Sequence, residues 1–200
     1  MQSLLRFIFK LFGVLLTLLT LSFVIIPLLF FVSKNFLYTS LVTYENPVNR
    51  GHSGYGLYDK ELLADISEWA SENEDASIQK IHKKAVKLTA EKLSFKLSAS
   101  SSMSSMYKSE KANCVGYSKF YCSAFNSITK ELGLRDKYSC SHMVAKIHLV
   151  DYNLHDLFTS RSFKNHDFNV IKDSKGQVLL ATDPSLYDYS YISAASIGQN

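Results

Sequence analysis

Glycine and proline are scarce in this 200-residue chain, with eight of the first and three of the second. That scarcity excludes a collagen-like repeat and a low-complexity linker protein. A fully disordered chain is excluded as well, because 46% of the residues are hydrophobic and 13% are aromatic. Acidic residues are missing from the first 34 positions, which hold Arg6, Lys10 and Lys34. The remainder carries 19 bases against 18 acids and so has almost no net charge. Without a basic excess there is no electrostatic footprint for DNA or RNA, and a nucleic-acid partner is excluded on that ground. No internal repeat is visible.

What the chain does have is one long apolar run. Residues 11–32 contain no charged side chain. About 20 apolar residues suffice to cross a hydrocarbon core of about 30 Å, so the run reads as a single transmembrane helix and the lipid bilayer as a partner. Its core is longer than the ~7–15 apolar residues of a signal peptide, and no small-x-small cleavage site follows it, which favours an uncleaved anchor. Arg6 and Lys10 before the run outnumber Lys34 after it. The positive-inside rule therefore puts the N-terminus in the cytoplasm and the rest in a periplasmic or extracellular space. The organisation expected is an anchor at 1–34, a connector at 35–60 and one domain at 61–200.

The connector is inferred from turn formers: Asn46-Pro47, Gly51, Gly54 and Gly56. Helical spacing then appears in Leu62, Leu63, Ile66, Trp69 and Ala70. It returns from Ser77 onward in Ile78, Ile81, Ala85, Val86, Leu88 and Leu93, with Asp75 or Ser77 as cap. The serine-rich stretch 98–105 reads as a flexible loop. A third helix begins at Asn113-Cys114, with Tyr117, Tyr121, Ala124, Phe125, Ile128 and Leu132 on one face and Gly133 as its stop. From Tyr138 the period becomes two, and 165–172 and 177–182 are further strand candidates. Helices followed by an antiparallel sheet make the fold class α+β. Tyr187, Tyr189 and Tyr191 alternate as in an edge strand or a cleft wall.

The three cysteines leave two arrangements open: a Cys122–Cys140 bridge with Cys114 free, or three reduced, buried thiols. Cys114 falls in the first turn of a helix capped by Asn113. The helix dipole and free N–H groups there stabilise a thiolate and can hold an oxyanion. Further on, residues 173–176 (Asp-Ser-Lys-Gly) form the turn of a hairpin. With an even-length loop, Lys172 faces Gln177 and His166 faces Asp183, which puts both on one face of the sheet. Asp183 would then orient one ring nitrogen and leave the other for a nucleophile. A three-residue loop would instead place Pro184 opposite His166.

The stretch 113–134 (NCVGYSKFYCSAFNSITKELGL) resembles the catalytic segment of the transglutaminase-like superfamily. His166 to Val170 resembles its histidine strand, and 177–184 (QVLLATDP) its aspartate strand. The resemblance covers roughly residues 62–189. Two positions depart from the pattern: Ala112-Asn113 replaces the usual Gly-x, and Phe168 stands where Trp is common.

The resemblance implies a papain-like core, with the cysteine-bearing helix packed on an antiparallel sheet. It implies a triad of Cys114 as nucleophile, His166 as base and Asp183 as orienter. The activity implied is acyl transfer on an amide, either peptide hydrolysis or transamidation, with a protein or peptide substrate and no cofactor. A further oxyanion donor of the family lies upstream of the cysteine, and Tyr107 is the candidate. The alternatives are an inactive binding or scaffold module of the same fold and a structural membrane protein. His142, His148 and His155 with Cys140 and Asp151 match no zinc spacing, so no metal is expected. Lys83, Lys84 and Lys87 read as a solvated helix face.

Overall fold

The computed structural model describes residues 2–51, 56–159 and 164–198; Gly54 of the expected connector lies outside them. Contacts divide the chain into two units, Met1–Leu37 and Tyr38–Asn200. The first is built from helix α1 (Gln2–Leu41), which outlasts the apolar run and contains Pro27. Between Phe12 and Leu41 its most apolar 18 residues have a mean hydropathy of 2.7, and the segment is long and apolar enough to cross a membrane. Four hydroxyls along it donate back to the helix's own carbonyls: Thr17 to Gly13, Thr20 to Thr17, Ser22 to Leu19 and Ser33 to Leu29. Those four need no water as partner.

The second unit is mixed α+β. In chain order it contains β1 (Val42–Asn49), α2 (Lys60–Ser71), α3 (Ile78–Lys92), β2 (Ser94–Phe95) and α4 (Met103–Ser109). Then come β3 (Lys111–Ala112), α5 (Cys114–Glu131), β4 (Tyr138–Leu149) and β5 (Tyr152–Asn153). The chain closes with β6 (His166–Asp173), β7 (Val178–Thr182), α6 (Pro184–Ser190) and β8 (Ser196–Ile197). The main sheet runs β7-β6-β4-β1-β8, with β5 also on β4, while β2 and β3 pair separately. The pairings β1–β4, β4–β6 and β6–β7 are antiparallel, and β1–β8 is parallel.

Three expectations are corrected. Residues 42–49 are not connector but an internal strand beside β4. Val42 and Tyr44 are buried on one side of it, and the turn formers Asn46 (φ 50°) and Pro47 sit in a bulge between Glu45 and Val48. A bulge is where a strand tolerates proline. The serine-rich stretch is partly helical, because Ser102 caps α4 by accepting from the Ser105 N–H. Tyr187 and Tyr189 belong to a helix, not a strand. Asp183 accepts from the Ser185 and Leu186 N–H groups and Pro184 fits the first turn, a start signal that overrides the alternation.

Two apolar clusters lie on the two faces of the sheet. Phe168 and Val170 of β6 join Val42, Tyr44, Met143 and Ala145 on one side. Ile171 and Cys140 join Tyr117, Phe120, Tyr121, Phe125 and Ile128 of α5 on the other. Successive strand residues point to opposite faces. His166 therefore points with Phe168, and Asp167 points with Ile171 toward the α5 side.

Candidate functional site

α5 is the buried helix of the domain, and its start is fixed in detail. Asn113 adopts an extended conformation and its Oδ1 accepts from the Gly116 N–H at 3.1 Å. Its amide donates to the Ala99 carbonyl at 3.0 Å. Gly116 permits the close approach of the preceding segment: a Cβ there would stand 2.7 Å from Met106 Sδ and 2.8 Å from Ala112 Cβ. Cys114 occupies the first position of this helix, half-buried, and is the one free cysteine. The other two form the Cys122–Cys140 disulfide, which clips α5 to β4. Asn169 of β6 donates to the Ser118 carbonyl at 3.0 Å and lies 3.2 Å from Cys122 Sγ, so β6 is tied to α5 too.

On the opposite sheet face, His166 Nε2 lies 2.6 Å from Asp183 Oδ2. The same oxygen accepts from the Tyr44 hydroxyl at 2.8 Å, and Tyr44 meets Tyr38 at 3.0 Å. Asp183 Oδ1 accepts from the Ser185 hydroxyl at 2.7 Å and from the Ser185 and Leu186 N–H groups at 3.1 and 3.2 Å. A carboxylate this fully hydrogen-bonded is rigid. It holds one nitrogen of the ring and leaves Nδ1 without a hydrogen-bond partner among the described residues.

His166 and Asp183 meet, but not as directly opposed residues. Asn169 pairs with Thr182, Val170 with Ala181 and Ile171 with Leu180, two residues out of the expected register. The hairpin has the three-residue turn that alone would have turned Asp183 to the other face: Asp173 and Gln177 close it, and Gly176 has φ 82°. A second irregularity follows, because Lys172 pairs with Val178 and Leu179 is left out of the ladder. One extra residue reverses the face again. Asp183 thus regains the His166 side as its diagonal neighbour.

The thiol makes its hydrogen bond elsewhere. Cys114 Sγ donates to Asp167 Oδ2 at 3.8 Å and makes no hydrogen bond to His166. Asp167 is 2% exposed, and its Oδ1 is 2.6 Å from His142 Nε2 and 2.7 Å from Arg50 Nε. The structure therefore brings His166 and Asp183 together and sets Cys114 against Asp167, the residue next to His166. Burial pushes the Cys114 thiol up, the charges of Asp167 and Asp183 add to it, and the Asp167 and Val115 N–H groups only partly oppose it. The net result is about 11. This corrects the expectation of a lowered value: desolvation and two carboxylates outweigh the helix end. Burial alone would lower His166, but the charge and hydrogen bond of Asp183 raise it above its ordinary value. Burial would raise Asp183, and His166, Ser185 and Tyr44 bring it below the usual range.

Tyr107 accepts from the Tyr58 N–H at 3.2 Å and packs on Phe120. Cys140 is consumed by the disulfide and His142 by Asp167; no metal-holding group of three such side chains occurs among the described residues. Sequence reasoning missed Asp167, Arg50 and Tyr44 as site residues. The available signal was Asp167 itself, an acid between His166 and Phe168 in a strand otherwise buried. Comparison with protein-family models, curated proteins and solved structures finds no match to this chain.

Proposed function

We propose that the chain is a membrane-anchored thiol enzyme of the transglutaminase-like, papain-like class that transfers the acyl group of an amide in a peptide or protein. The observation that carries this reading is the 2.6 Å His166–Asp183 pair, with Nδ1 open, one residue along β6 from the contact of Cys114. In the reaction, His166 takes the Cys114 proton and the sulfur attacks the amide carbonyl. The C–N bond then breaks, and the amine leaves with the proton returned by His166. Water or a second amine cleaves the resulting thioester. Asp183 keeps the ring in one orientation throughout. The anchor places this chemistry at a bilayer, with the N-terminus in the cytoplasm. The Cys122–Cys140 disulfide supports an oxidising space on the other side for the domain.

One observation favours a second reading, an inactive module that binds a peptide or partner at the membrane surface. The thiol is held protonated and faces a carboxylate rather than an imidazole. The deciding measurement is the pH dependence of Cys114 alkylation by iodoacetamide, in the full chain in detergent, for wild type and His166→Ala. Catalysis requires a fraction of reactive thiolate near neutral pH that disappears with the imidazole. A thiol titrating near 11 in both proteins would favour the binding module.

A further inference from the structure

We propose that Asp167 is a positioning residue for Cys114: its carboxylate, fixed by Arg50 and His142, accepts the thiol hydrogen and competes for it with His166. The inference rests on the acyl-transfer reading above. It is drawn from the geometry of four side chains: Cys114 of α5, His142 of β4, Asp167 of β6 and Arg50 just after β1. Asp167 offers two oxygens. Oδ1 receives His142 Nε2 at 2.6 Å and Arg50 Nε at 2.7 Å, and Oδ2 faces Cys114 Sγ at 3.8 Å. The first two contacts clamp the carboxyl group, which is 2% exposed. The Arg50 backbone is held beside it, since its main-chain N–H donates to the His142 carbonyl at 2.9 Å. The carboxylate therefore cannot swing away from the sulfur without breaking two short contacts.

His166 follows from the same strand but points to the other sheet face. For the S–H to reach its Nδ1, the thiol must rotate off Asp167. A carboxylate this close also opposes negative charge on sulfur. Asp167 thus keeps Cys114 as an oriented thiol until the imidazole takes the proton. The other groups acting on the sulfur are Asp183, which adds to the effect, and the Asp167 and Val115 N–H groups, which oppose it.

The test is the same alkylation titration on the full chain in detergent, for Asp167→Asn and Arg50→Gln. Removing the charge in Asp167→Asn is expected to move the thiol midpoint down by about one unit or more, a tenfold gain in thiolate at fixed pH. The rate gains less, roughly threefold per unit, because a less basic thiolate is a weaker nucleophile. Arg50→Gln leaves the carboxylate in place but removes its counter-charge, so its midpoint moves up. A structural role alone would not produce opposite signs. An unchanged Asp167→Asn midpoint in a cooperatively melting protein overturns the proposal. If Asp167→Asn does not fold, Arg50→Gln decides it: an upward shift supports the restraint, and no shift or a downward one overturns it. The two readings fail separately. A shift in Asp167→Asn without any dependence on His166 would keep the restraint and sink acyl transfer. A His166-dependent thiolate untouched by Asp167→Asn would do the reverse.

Discussion

The Tyr44 hydroxyl donates to Asp183 Oδ2 at 2.8 Å, the same oxygen that His166 Nε2 reaches, although 139 residues separate the tyrosine from the aspartate. β1 thereby takes part in holding the His166–Asp183 pair. Burial and the charge of Asp183 keep the Tyr44 proton in place, so the hydroxyl serves as a constant donor.

Tyr44→Phe keeps the ring that packs on Phe168 at 4.6 Å and removes the hydroxyl that donates to Asp183 and meets Tyr38. A hydrogen bond to a charged group contributes about 1.5–3 kcal/mol, and the variant should lose stability of that order in a denaturant titration. The carboxylate, short of one donor, becomes more basic and favours the imidazolium. His166 should then titrate higher than in wild type when followed by NMR. A His166 titration that stays put or falls would show that the tyrosine only fills space.

Asp183→Asn separates charge from capping, because the amide oxygen can still accept from the Ser185 and Leu186 N–H groups. In the wild type Asp183 lies below its ordinary 3.8. Its stabilisation is present above 3.8 and is lost as pH falls through the lowered value. His166 lies above its ordinary 6.5, so its share is full below 6.5 and is lost as pH rises through the raised value. The pair therefore stabilises the fold most between about pH 4 and 6.5. Asp183→Asn should flatten that maximum, and His166 should then titrate below 6.5, because burial outweighs the remaining charge of Asp167. An unchanged pH–stability curve would refute the coupling.

The Cys122–Cys140 disulfide closes a segment of 18 residues, with Cys122 fully buried and Cys140 4% exposed. Such a cross-link contributes about 2–4 kcal/mol, or roughly 4–16 °C in the melting temperature of a domain this size. Cys122→Ala/Cys140→Ala should melt lower by that amount. Reductant added to the folded wild type should act slowly, since the sulfurs are reached only after opening. Equal melting temperatures with and without the bridge would count against a structural role.

Much of this arrangement is written locally. The apolar run of α1, the Asn113 cap that starts α5 and Gly133 at φ 66° that ends it are each decided by a few adjacent residues. Propensity, capping and backbone sterics act over one turn of chain, so the sequence alone was enough to read them as a helix, a helix start and a helix stop. The Asp183-Pro184 start of α6 is just as local, but the alternation of Tyr187 and Tyr189 masked it. The α+β class followed from the change of period near Tyr138 for the same reason.

Other features were decided by tertiary structure. Whether His166 and Asp183 share a face depends on counting two irregularities, the Gly176 turn and the bulge at Leu179, and a slip of one residue reverses the answer. Residues 42–49 became a strand because an open edge of β4 was there to pair with, which no local pattern announces. The partner of Cys114 was likewise settled by packing. α5 lies on the face to which Asp167 points, and Arg50 and His142 arrive there from distant segments. Charges brought together by the fold, around a half-buried sulfur and a buried carboxylate, set the state of that thiol, and their separation in the chain hides them from any reading of it in one dimension.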